Sequence, residues 1–424
     1  MFTTQRTLRI LSLTAAAALA TTLAACSSDD DATSSSSDGA SADGGASLTT
    51  LNIWDPYPQY DDSSDWATYV QSCAPSGVTV KRTSAATADL LNNLTTAVKA
   101  GNAPDVILLD NPAVPDAASA GLLAPADEVG IDTSGFDANL AGPGTVDGTT
   151  YGVPIGANTL GLYYNEDILK DAGVDPASIT SWDTLNAALE KVTQAGHKGI
   201  TFSGIAGEEG VFQFQPWFWG AGANLKDIGS DQAVAAGQLV SDWIGKGYAP
   251  KSAATDNQSA SWDLFLTGDY AFAENGSWFA QAAAKLTDFK AVAMALPGKD
   301  GGAAPVPTGG EFVLAPLQKD DADAHYANAK KVIDCLVGAE NQVKTAGMLG
   351  YFAANKDERA KQIAADPVWA PWASAIEAAQ GRTSELGADY TAASAQLSTA
   401  LQGALNAAGD SAKVKDAFTQ AAQS

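Results

Sequence analysis

The run Asp105-Val106-Ile107-Leu108-Leu109-Asp110 constrains the fold most tightly. A strand with one face in water alternates apolar and polar residues. A strand apolar at every position has both faces covered, as in the central parallel strand of an α/β sheet. The flanks agree. Leu90, Leu91, Leu94, Ala97 and Val98 carry amphipathic helical spacing over residues 88–99, and Gly101-Asn102-Ala103-Pro104 stops that helix. Residues 51–54 and 78–80 read as earlier strands, with a helix over 64–73 between them. Strand, helix, strand, helix, strand predicts an α/β domain. In such sheets ligands bind at the carboxyl ends of strands, where Trp54-Asp55 and Asp110-Asn111 stand.

Further along, residues 152–155 and 161–165 read as paired extended segments, and Ser181 as the N-cap of a long helix. Glu208-Glu209, set between glycines, reads as a solvated loop. Residues 294–316 carry no helical pattern. There Thr308-Gly309-Gly310 leads a strand from Glu311, suited to a bend or a close approach of backbone to ligand. Residues 322–337 are helical again, and an Ala-rich helical tail starts at Ala373. A body of this length exceeds what one core usually takes, so two domains are expected.

The N-terminus bears on compartment. Arg6 and Arg9 precede an apolar stretch over residues 10–20, too short to span a bilayer comfortably and laid out as a secretory leader. Leu23-Ala24-Ala25-Cys26 resembles the bacterial lipobox, which implies a signal peptide over residues 1–25 and a lipid on Cys26. Two or three acyl chains would anchor the chain stably at the outer face of the cell membrane. Residues 26–47, mostly Ser, Asp, Ala and Gly, have little to bury and read as a disordered tether.

The formal net charge of −25 excludes nucleic acid and anionic lipid surfaces as natural partners. His197 and His325 lie far apart with no Cys/His cluster, so no metal and no cofactor is expected. Cys73 and Cys335 remain after Cys26. An oxidising compartment favours a disulfide between them, with two buried thiols as the alternative.

Five ordered segments carry a family resemblance. They are AGNAPDV at 100–106, AGLLAP at 120–125, DGTTYGVP at 147–154 with LYYN at 162–165, FLTGDYAF at 265–272, and NGSW at 275–278. Behind a lipobox, they resemble the solute-binding proteins of carbohydrate ABC importers, the group that includes maltose-binding protein. Phe272 stands where the family usually has Met, and residues 350–355 lack a Pro often seen near the hinge. The resemblance implies a two-lobe periplasmic-binding-protein-like α/β fold of type II, with hinge strands joining the lobes and the ligand cleft between them. Lobe one would take residues 48–155 and 310–350, and lobe two 156–309 and 351–424. Cys73 and Cys335 then fall in one lobe.

A sugar offers hydroxyls to carboxylates and amides, and C–H faces to flat rings. The candidate rings are Trp54, Trp217, Trp219, Trp278 and Trp372, with Trp217 and Trp219 in a dense aromatic and amide stretch over 213–219. Trp278 falls on the family's stacking position. The polar candidates are Asp110, Asn158, Gln215 and Glu311, the backbone of Gly309 and Gly310, and, in the loop after the first strand, Gln59 and Tyr60. The expected function is extracellular capture of a sugar, an oligosaccharide given the number of rings. Delivery to an ABC permease would follow by hinge closure, from a monomer and without enzymatic activity. Alternatives are a polyamine or other small polar solute on the same fold, and an extracellular carbohydrate-active enzyme. Against the enzyme stand the missing G-x-S-x-G and H-E-x-x-H motifs and two remote histidines. An anionic ligand is disfavoured by the scarcity of Arg near the cleft segments.

Overall fold

The computed structural model describes residues 48–383 and 386–424, so the leader, the tether and Cys26 lie outside the described residues. Two sheets form the centres of two lobes. The first has the strand order Thr79–Ser84, Thr50–Asp55, Val106–Asp110, Glu311–Leu314, Gly152–Pro154. Val106–Asp110 is central, and its apolar residues are buried on both faces by two separate clusters. It runs parallel to Thr50–Asp55 but antiparallel to Glu311–Leu314. The expectation of parallel neighbours therefore holds on one side only, because the second neighbour is the chain returning from the other lobe.

The second sheet has the order Ala291–Met294, Leu160–Asn165, Tyr270–Gly276, Lys198–Thr201. Residues 152–155 and 161–165 are extended as expected but do not pair. Gly152–Pro154 completes the first sheet, while Leu160–Asn165 lies between Tyr270–Gly276 and Ala291–Met294. The chain changes lobes between these strands, so adjacency in sequence does not become adjacency in a ladder.

Local signals set the helix ends. Ser64 caps Asp65–Ser72 through Ala67 N–H, and Gly101 ends Thr87–Ala100 at a φ of 74°. Ser181 and Thr184 close a reciprocal capping box on Trp182–Gln194. The C-terminal helices Tyr390–Ala407 and Ser411–Ala421 bury one face in the second lobe's core. Cys73 and Cys335 are joined as a disulfide with Cα atoms 5.5 Å apart, tying the end of the first helix to Ala322–Val337.

Three segments cross between the lobes side by side. Asn158 and Gly309 exchange backbone hydrogen bonds at 3.0 and 2.9 Å, and Ala157 and Phe352 do so at 2.9 and 2.7 Å. Gly310 takes φ 112° here, and a Cβ on it would stand 2.7 Å from Gly156 O, so only glycine fits this crossing. Among the described residues no helix is long and apolar enough to cross a membrane.

Candidate ligand-binding site

The site builds up from the carboxyl end of Val106–Asp110. Asp110 pairs in register with Glu311 on the next strand, which starts directly after Gly310. Asn111 turns its amide nitrogen to Thr308 O at 3.0 Å, tying the strand end to a crossing segment. From the second lobe comes Arg382, fixed behind Gln380–Gly381, which pairs with Pro307–Thr308. Its Nη2 donates to Asp110 at 2.5 Å, its Nη1 to Glu208 at 2.7 Å, and its Nε to Thr308 O at 3.2 Å. Burial alone would lower its pKa, but Asp110 and Glu208 reverse that and raise it. The guanidinium sits 4.7 Å over the Phe212 ring, and Phe212 lies 6.3 Å from Trp278.

Three buried oxygens at this junction have no protein partner: Asn111 Oδ1, Asn158 Oδ1 and Thr308 Oγ1. Asn111 Nδ2 is already donating, so its oxygen is held as an acceptor. Asn158 Oδ1 lies against Gly309, where a Cβ would come within 2.0 Å of it and 2.9 Å of the Phe212 ring. Unpaired buried acceptors beside aromatic faces suit a ligand that brings hydroxyl donors and apolar C–H faces. Trp278 is half-buried and packs against cores of both lobes.

The junction thus gathers Asp110, Asn158, Trp278, Gly309, Gly310 and Glu311. Trp54 is half-buried on the strand beside Val106–Asp110. Gln59 is exposed, and Tyr60 turns its hydroxyl to Met348 O at 3.2 Å. Four further expected contacts lie away from this junction. Gln215, Trp217, Trp219 and Trp372 lie in the second lobe's interior, at 0, 0, 9 and 2 % exposure. Glu208–Gly220 is a helix whose residues 210–219 are all buried, with Gln213 Oε1, Gln215 Oε1 and Trp219 Nε1 lacking a protein partner. Trp217 Nε1 donates to Glu274 at 2.7 Å, Gln215 Nε2 to Tyr390 at 3.3 Å, and Trp372 packs 5.3 Å from Tyr163.

Glu208 and Glu209 are also corrected, from a solvated loop to the first turn of that helix. Both carboxyl pKa values are raised, chiefly by burial, with Arg382 opposing at Glu208. Glu208 accepts from Tyr390 at 2.7 Å and from Ser394. Arg382 and Phe212 were missed, and Arg382 weakens the argument from a scarcity of arginine near the cleft. No spacing in the sequence links residue 382 to residues 110 and 208.

Glu311 carries a testable electrostatic signature. Burial, then the neighbouring Asp110, raises its pKa to about 7, while the Tyr57 hydroxyl, donating at 2.6 Å, opposes. Its reference value is 4.5. Between those values the folded state holds a proton that the unfolded state has lost. This group therefore makes stability fall as pH rises from 4.5 to about 7, and adds nothing further above that. Glu311→Gln should remove this dependence. Its melting temperature relative to the parent should rise between about pH 5 and pH 8, as read by thermal scans; a pH-independent difference would refute the assignment.

Among proteins of known role, the chain is 30% identical to the maltodextrin-binding protein of Bacillus subtilis over 283 residues, which is 63% of this chain and 62% of the relative. The maltose-bound MalE3 of T. maritima superposes with a TM-score of 0.74 at 22% identity, over 88% of this chain and 98% of that one. The cyclic alpha-maltosyl-1,6-maltose binding protein of Arthrobacter globiformis gives 0.71 at 22% identity, with the same coverage of 88% and 98%. These folds are two-lobe binding proteins, as the two sheets and three crossings here require. The family described as bacterial extracellular solute-binding protein matches residues 73–378, most of the body, and this chain belongs to it.

Proposed function

We propose that the protein captures an oligosaccharide outside the cell and delivers it to a membrane ABC importer. The observation that carries this reading is the lobe junction itself, which holds the unpaired oxygens of Asn111, Asn158 and Thr308, with Asn158 close to the Phe212 ring and Phe212 in turn 6.3 Å from Trp278. Hydroxyl donors of a sugar satisfy such acceptors, and its C–H faces pack on the rings. The maltose and maltodextrin ligands named for the similar proteins support the same class. A ligand that touches both lobes selects the closed form, because only that form makes both sets of contacts. Binding, closure and release involve no covalent step. The leader, a lipid on Cys26 and the tether of residues 26–47 complete the reading: a monomeric body held at the outer face of the cell membrane.

The test is a thermal-shift titration of residues 47–424 with maltose, maltotriose, maltotetraose, lactose and spermidine. A bound sugar raises the melting point with concentration, by about 2.7 kcal/mol of stability at 100 times Kd. A response to spermidine alone would replace the sugar by a polyamine. Silence across the sugars would overturn the saccharide reading.

A further inference from the structure

Arg382 joins the lobes through an asymmetric set of partners. Thr308 O and Glu208 belong to its own lobe, and among the described residues Asp110 is the guanidinium's one partner across the junction. The Arg382 side chain is 3% exposed, against 19% for Asp110 and 32% for Glu208. Nη1 and Nη2 reach both oxygens of Asp110, at 3.2 and 2.5 Å, a forked geometry that is strong and directional. Other contacts join the same stretches of chain: Thr391 Oγ1 donates to the Asp116 carboxylate at 2.7 Å, Asn139 Nδ2 to Ala379 O at 3.2 Å, and Arg359 Nη2 to Asp137 at 2.6 Å.

The asymmetry matters for opening. A buried arginine stripped of every carboxylate would oppose separation strongly, because an uncompensated buried charge is costly. Here Glu208 and Thr308 travel with Arg382, so parting the lobes releases Asp110 to water and still leaves the guanidinium paired. The bridge to Asp110 is therefore one that can form and break reversibly.

We propose that Arg382 is a closure-determining residue, whose ion bridge to Asp110 supplies part of the free energy of lobe closure independently of any ligand. The sugar then has less closing to drive. The apparent dissociation constant is the intrinsic one divided by the fraction of competent conformer, so the bridge tunes affinity through that fraction, apart from any contact Asp110 makes with the sugar. This goes beyond the capture reading, and its test needs no ligand, so the two can fail separately.

The experiment is small-angle scattering of the full chain, sugar-free, as Arg382→Gln, Asp110→Asn, the double variant and Glu208→Gln, each first checked for folding by circular dichroism. Arg382→Gln and Asp110→Asn should each enlarge the radius of gyration. The double variant should match either single one, since both remove one interaction. The open-to-closed ratio should rise by about 5- to 150-fold, the usual range of coupling. Glu208→Gln should not enlarge the particle, because Arg382 then keeps Asp110 as its anionic partner. Unchanged scattering in folded Asp110→Asn would overturn the proposal, even if Arg382→Gln failed to fold. Equal enlargement by all three single variants would overturn it too, as loosened packing would do that.

Discussion

Replacing Cys73 and Cys335 together by serine should lower the unfolding free energy by about 4 kcal/mol. The bridge spans a sequence separation of 262 and encloses every strand of the second sheet. Cross-linking so long a loop restricts the unfolded chain strongly, and that restriction grows with loop length. The folded side is well supported. Asn341 Nδ2 donates to Cys335 O at 2.9 Å, and Lys344 sits 4.1 Å over the neighbouring Tyr69 ring. Guanidinium unfolding with and without reductant measures the effect. An unfolding midpoint that ignores reduction would show that the loop closure contributes nothing.

The second large effect separates two tryptophans that look alike in sequence. Trp217→Ala should cost about 3–5 kcal/mol of stability, because a fully buried ring is lost from the core. It also leaves Glu274 without its donor, in a place where burial already pushes that carboxyl well above the ordinary range. Trp278→Ala should act differently. Trp278 is half-buried between the lobes, so its loss should weaken sugar binding on the order of 30-fold, the about 2 kcal/mol of an interface hot spot, with a smaller change in melting temperature. Melting scans and titration calorimetry on both variants check the contrast. A Trp278→Ala protein with unaltered affinity would remove that ring from the binding site.

Those two tryptophans also show what sequence carries and what it hides. The first strand, the Gly101 stop, the Ser181 cap, the helix Ala322–Val337 and the glycine-led strand at Glu311 all follow from local patterns, and local physics forms them. The aromatic stretch over 213–219 does not announce its helix, because that helix is buried all round and shows no polar face. Two of its polar groups find partners that no local pattern shows: Trp217 Nε1 meets Glu274, 57 residues away, and Gln215 Nε2 meets Tyr390, 175 residues away. Arg382 escapes notice for the same reason, since its meaning lies in Asp110, 272 residues earlier. At the hinge, by contrast, Gly309-Gly310 stands out because a crossing of backbones leaves no room for a Cβ at Gly309 and sets Gly310 at φ 112°.

The interleaving of the first sheet bears on how such a chain leaves the cell. Glu311–Leu314 lies between Val106–Asp110 and Gly152–Pro154, so that sheet stays split until residue 314 has emerged. The other lobe waits longer, because its core includes Leu397, Leu401 and Phe418. A polypeptide exported N-terminus first thus has no self-sufficient half to fold early. The first lobe can close its core only once Tyr351 has reached the far side, and the second only once the last helices have, which keeps the chain threadable for most of translocation and leaves the second sheet's apolar strands exposed until the end.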